Sequence, residues 1–143
     1  MTIARVLTHK TAHDIVTCDA ATPVRDAVAM LAERRIGALP VHDGERIVGI
    51  FSERDVIYTI AQGGAPALDR PVSEVMTAPA ITVSPETSVL SALSLMTQRR
   101  IRHLPVTQDG RTVGFISIGD LVKYRIDHIE AEAEALRSYI QTA

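Results

Sequence analysis

The chain has no tryptophan, a single cysteine, and only five phenylalanine and tyrosine residues among 143. With Cys18 alone, no intramolecular disulfide and no cysteine-built metal cluster can form. So few aromatic rings leave little on which single-stranded nucleic acid could stack. Fifteen Lys and Arg stand against seventeen Asp and Glu, for a net charge of −2, so no basic footprint for nucleic acid is present. The five histidines show no H-E-x-x-H or related spacing, which argues against a metal centre. No apolar run approaches the ~18 residues that a membrane span needs, and "MTIARVLTHK" lacks the apolar stretch of a signal peptide. These absences predict a cytoplasmic protein with neither nucleic-acid nor membrane partners. What is present, 46% hydrophobic and 22% charged residues, is the composition of an ordinary globular chain. Its length suits one domain, or two small units sharing a core.

The chain repeats itself. Shifted by 65 positions, residues 16–57 fall on 81–122 with 15 identities in 42 positions and no gap. Many of the differences exchange one apolar residue for another. The duplication decides the architecture. In each copy a short β-rich run ("DIVTCD", "AITVSP") precedes a helix. In the first helix Thr22 is the candidate N-cap and Pro23 the first helical residue. Val24, Ala27, Val28 and Leu31 then recur at helical spacing, as do Val89, Ala92, Leu93 and Met96 in the second copy. Both helices end in paired arginines, which suit the negative end of the helix dipole. A strand follows ("IGALPV", "IRHLPV"), then a turn carrying Asp-Gly, then a returning strand ("IVGIF", "TVGFI") and a second helix opened by S-x-x-D. The expected fold is α/β (α+β): two repeats, each a three-stranded sheet with two helices, packed sheet to sheet about a pseudo-two-fold axis. Residues 1–61 form the first repeat, 62–70 ("QGGAPALDR") a linker, and 71–126 the second repeat.

In this order and in duplicate, "RRIGALPV" and "RRIRHLPV", the Asp-Gly hairpins, and "GIFSERD" and "GFISIGD" resemble the tandem cystathionine-β-synthase (CBS) domain proteins, so-called Bateman modules. "VSEVMT" before the second repeat, and more weakly "IARVLT" before the first, resemble the family's lead-in segments. The resemblance covers roughly residues 3–126. It implies a regulatory module with no catalytic cofactor. The implied ligand is adenosine-containing (AMP, ADP, ATP, and in some members NADH or S-adenosylmethionine), held in clefts between the repeats.

The S-x-x-D pairs carry the most specific expectation. Ser52 with Asp55, and Ser117 with Asp120, can each form a capping box at a helix start, a structural role that holds whatever the function. The resemblance implies more. Asp55 and Asp120 would accept hydrogen bonds from ribose hydroxyls, and Ser52 and Ser117 with nearby helix-start amides would face phosphate. Such a carboxylate disfavours a 2′-phosphate, and hence NADP. Arg102 and His103 stand where the first repeat has Gly37 and Ala38. Either basic residue can meet phosphate, or it can be a solvated edge residue. Gly37 and Ala38 leave room and offer backbone to line the cavity. The two sites should therefore differ, with anions drawn to the half that Arg102 and His103 face. By family position Val16, Ile36, Ile81 and Ile101 supply an adenine slot, although core packing explains each equally well. Arg54 reaches phosphate or faces solvent. His9, Lys10 and His13 lie in a polar loop that can touch phosphate or stay in water.

From Leu121 to about Ile140 the pattern is helical. Val122, Ile126, Ile129, Ala133, Leu136 and Ile140 are spaced 4, 3, 4, 3, 4, a heptad seam. This C-terminal helix, 121–140, either packs back on its own module or meets a partner helix, most simply in a homodimer. The function expected is therefore an adenine-nucleotide sensor acting through conformational change or an effector protein. The alternative is a structural or protein-interaction module with degenerate pockets. Catalysis has little to stand on, since no nucleophile–base pair has a recognised spacing and neither serine lies in a G-x-S-x-G elbow.

Overall fold

The computed structural model describes residues 1–10 and 15–142. Helix α1 (Ile3–His9) leads into strand β1 (Cys18–Asp19), helix α2 (Val24–Arg34), strands β2 (Ala38–Asp43) and β3 (Arg46–Ser52) and helix α3 (Glu53–Gly63). The second half repeats the order with α4 (Val89–Arg99), β4 (His103–Gln108), β5 (Arg111–Ser117) and α5 (Ile118–Thr142). The mixed α+β architecture expected from the repeat is present, and α5 is the extended C-terminal helix. Residues Ala65–Asp69, which read as linker, form a 3₁₀ helix that packs against α2 and α3. Thr22 is not the cap of α2. Pro23 holds that place, with extended backbone and no side-chain cap.

The repeats diverge at their first strand. In the first, β1 pairs parallel with β2, giving a three-stranded sheet. In the second, β4 and β5 stand as a two-stranded sheet and the expected third strand shrinks to one bridge, Val83 to Val106. The cause is a single residue. The Ala20 amide donates to the His42 carbonyl at 2.8 Å and extends the first ladder. The matching residue, Pro85, has no amide hydrogen to donate. The hairpins differ as well. In the second, Asp109 and Gly110 both have positive φ, the conformation a type I′ turn requires. In the first, Asp43 ends β2 and the two turn residues are Gly44, with positive φ, and Glu45.

Two hydrophobic cores result, and the chain crosses between them. The first gathers Val24, Leu31, Leu39, Val41 and Phe51 with Val72, which lies ahead of the second repeat. The second gathers Val89, Met96, Leu104, Ile116 and Leu121 with Ile3 and Val6 from α1. Each lead-in segment therefore completes the core of the other repeat. The glycine in each returning strand permits this crossing. A Cβ on Gly49 would lie 2.5 Å from Met76 Sδ and 2.8 Å from the Thr77 carbonyl. One on Gly114 would lie 2.7 Å from Leu7 Cδ2. Strands β3 and β5 touch where the two halves meet.

Candidate functional site

Each returning strand ends at a helix start, and the two corners so formed share a frame. The Glu53 amide donates to the Gly37 carbonyl at 3.0 Å, and the Ile118 amide to the Arg102 carbonyl at 2.8 Å. The head of one strand is thereby fixed to the first turn of the following helix. The third amide of each helix donates to the serine cap, Asp55 to Ser52 Oγ at 3.4 Å and Asp120 to Ser117 Oγ at 3.1 Å. Of the first three amides, only those of Arg54 and Gly119 have no partner among the described residues. The helix-start amides expected to face a ligand thus reduce to one per corner.

The aspartates differ. The Asp55 carboxylate accepts from the Ser52 amide at 2.9 Å and the Ser52 hydroxyl at 3.1 Å, completing a capping box. Its other oxygen accepts from the Thr77 hydroxyl at 3.0 Å. The residue is 8% exposed. Asp120 accepts from the Ser117 amide at 2.9 Å, and the same oxygen takes a 2.9 Å ion pair from Lys10 Nζ. Lys10 also donates to the Phe115 carbonyl at 2.7 Å. Among the described residues no donor reaches the second Asp120 oxygen, and the side chain is 27% exposed. Burial pushes the Asp120 carboxyl upward. The Ser117 amide, together with the hydrogen bond and charge of Lys10, outweighs it and holds the group below the usual carboxylate range.

His103 joins this second corner. Its ring stacks on Phe115, with centroids 5.5 Å apart and planes at 11°. A Cβ added to Gly37 would stand 3.3 Å from His103 Cε1, so the small residue of one repeat makes room for the imidazole of the other. Burial draws the His103 pKa down. The charges of Asp120 and Glu53 oppose it, while those of Lys10 and Arg102 add to it. Lys10, Glu53, Arg102, His103 and Asp120 thus form one mixed-charge cluster, with Arg102 exposed at its edge.

The other expected residues are dispersed. Arg54 is exposed and donates to the Arg100 carbonyl, at the end of α4, at 3.2 Å. Val16 and Ile36 pack on the first core, Ile81 and Ile101 on the second, and Ala38 is buried. The His9 ring lies tilted against Tyr124, with centroids 5.6 Å apart, and His13 lies outside the described residues. A surface groove of about 660 Å³ is lined by Arg46, Val48, Thr82 and Thr107 and includes none of the candidate residues. Sequence reasoning missed Thr77 and Glu53. Thr77 carried a signal: "VSEVMT" and "IARVLT" place Thr77 and Thr8 alike, but 69 residues apart rather than 65. Thr8 bonds back to the Ala4 carbonyl at 2.9 Å instead. The Cys18 thiol, pushed up to about 11 by burial and then by the charge of Asp19, holds no thiolate at neutral pH.

The family model for the CBS domain matches twice, over residues 6–62 and 72–127. The chain belongs to the CBS-domain family. It is 40% identical over 129 residues to the CBS domain-containing protein CBSX3, mitochondrial, of Arabidopsis thaliana, covering 87% of this chain and 63% of that one. It therefore spans less than two thirds of that relative's length. A CBS-domain-containing protein from Agrobacterium tumefaciens, 35% identical, superposes with a TM-score of 0.81 over 87% of this chain and 92% of its own. The structure of CBSX2 in complex with AMP shares the fold, with a TM-score of 0.74 and 24% identity over 88% of this chain and 96% of its own. Among the described residues no helix of this CBS pair is long and apolar enough to cross a membrane.

Proposed function

We propose that this CBS pair is a regulatory, non-catalytic sensor of adenine nucleotides in the cytoplasm, with the working site at the Asp120 corner. One observation carries the reading. A partly exposed carboxylate, with one oxygen unclaimed among the described residues, stands beside Lys10, His103 and Arg102. Ribose hydroxyls donate to the carboxylate, and the three basic groups receive phosphate. Gly37 makes room for the His103 imidazole, and the Gly119 amide is open at the helix start. AMP bound to CBSX2 is in keeping with this ligand class. AMP, ADP, ATP and NADH all carry the required diol and phosphate.

The Asp55 corner is the weaker site. Its carboxylate already takes three hydrogen bonds of the roughly four that two oxygens can accept. A ribose diol needs two, so Thr77 must give way first. The module, a homodimer in this reading, signals through conformational change or an effector protein, and the ligand drives either only by binding two of its states unequally.

The second reading, a structural or interaction module with degenerate pockets, draws on the closed Asp55 corner and the apolar stripe of α5. Thermal melting separates the two. The sensor requires AMP, ADP, ATP or NADH at millimolar concentration to raise the melting temperature. If none does, the interaction module stands.

A further inference from the structure

Helix α5 runs 25 residues and buries only Leu121. Its face towards the module is short: the Tyr124 ring lies tilted against His9, and Arg125 reaches Met1 Sδ at 3.9 Å. Past His128 every described residue is exposed except Ala133, which is half-buried. Yet Val122, Ile126, Ile129, Leu136 and Ile140 present a continuous apolar stripe, from 43% exposed at Val122 to 64% at Ile140. A stripe this long on a projecting helix needs a cover.

The charges beside the stripe say what covers it, and in which direction. With Val122, Ile129 and Leu136 at d and Ile126, Ala133 and Ile140 at a, the e positions are Lys123, Glu130 and Arg137. The g positions are Arg125, Glu132 and Tyr139. In a parallel pair each g residue faces the next e residue of the other helix. Arg125 then meets Glu130 of the partner subunit, and Glu132 meets Arg137 of the partner subunit. Two-fold symmetry doubles both, for four attractive pairs. An antiparallel pair that superposes the same stripes sets Lys123 against Arg137, and Glu130 and Glu132 each against its own counterpart. Those contacts are all repulsive. Within one chain Arg137 meets Glu134 at 3.3 Å and His128 meets Glu132 at 3.2 Å, and Arg125 reaches only Met1 Sδ among the described residues.

We propose that a second copy of this chain covers the stripe, its α5 lying parallel and in register as a two-stranded coiled coil from Val122 to Ile140. This rests on the homodimer reading above and not on the nucleotide. The test is oxidative cross-linking of single-cysteine additions, beside mass measurement by light scattering. In the parallel pair the two copies of residue 136 are neighbours within disulfide reach, so Leu136→Cys cross-links to a dimer in high yield. In the antiparallel pair residue 136 faces residue 126, and the two copies of 136 lie about 15 Å apart. Leu136→Cys then stays monomeric on a denaturing gel while Ile126→Cys with Leu136→Cys cross-links. The unmodified chain, whose Cys18 is buried, is the uncross-linked control. Arg137→Glu should weaken the dimer at least fivefold, and Glu132→Arg in the same chain should restore it, with helix content followed by circular dichroism. A dimer that cross-links only through the 126/136 pair overturns the parallel arrangement but leaves the homodimer. A monomeric mass at all concentrations overturns both, and a positive nucleotide titration then still stands by itself.

Discussion

Asp55 and Asp120 occupy matching places in a duplicated sequence and live in different surroundings. Asp55 is closed over by the Thr77 hydroxyl and its own capping box. Asp120 keeps the same serine cap but pairs with a lysine ammonium and acts by its charge on the His103 imidazole, for which Gly37 makes room. A repeat thus preserves the local device, because a helix start needs the same cap in both copies. What lies beyond the cap comes from the other half of the molecule, and there the copies are free to part. One corner has become a structural joint and the other an open, charged corner.

The largest effect should come from the crossing that builds both corners. Gly49→Ala drives a methyl into a backbone carbonyl, whereas Gly114→Ala meets only the end of the Leu7 side chain. The first should cost about 2–3 kcal/mol and the second about 1 kcal/mol, read from urea unfolding. Equal losses would mean that the two crossings are equally tight. Next, Asp120→Ala should lower AMP affinity about tenfold or more, since a hydrogen bond to a charged group is worth about 1.5–3 kcal/mol. Asp55→Ala should cost about 1–2 kcal/mol of stability through its lost cap and leave calorimetric affinity nearly unchanged. Loss of binding in Asp55→Ala alone would reverse the assignment of the two corners.

A smaller effect is expected from pH. Burial holds His103 below its ordinary value, so the unfolded chain takes up its proton first as pH falls. The stability this group contributes is complete above about pH 6.5 and lost as pH drops towards the folded value. Asp120 is depressed too, by Ser117 and Lys10 against its burial. Its contribution is complete above about pH 3.9 and is lost below that. A bound phosphate favours the charged imidazole, so AMP affinity should rise severalfold between pH 7.5 and 6. His103→Gln should flatten that rise; a rise of the same size in the variant places the titrating group elsewhere. Smallest of all, Arg54→Ala removes one exposed bond to the Arg100 carbonyl. Stability should shift within about 0.5 kcal/mol, with AMP affinity unchanged by calorimetry. A tenfold loss of affinity would instead place Arg54 at the phosphate.

Much of this protein was legible in its sequence. The offset of 65 residues, the helical spacing of Val24, Ala27 and Leu31, the S-x-x-D caps and the long C-terminal helix all depend on local stereochemistry, which neighbouring residues specify. The missing third strand depends on local chemistry too, on Pro85 standing where the first repeat has Ala20. Tertiary structure alone decided which residues meet across long separations. Nothing local places Lys10 on Asp120, 110 residues away, Thr77 on Asp55, or His103 beside Gly37. Those contacts exist because each lead-in segment crosses to the other core, buried there through Ile3, Val6 and Val72. Sequence determined that there are two capped aspartate corners. The crossing of the chain decided that one of them is closed.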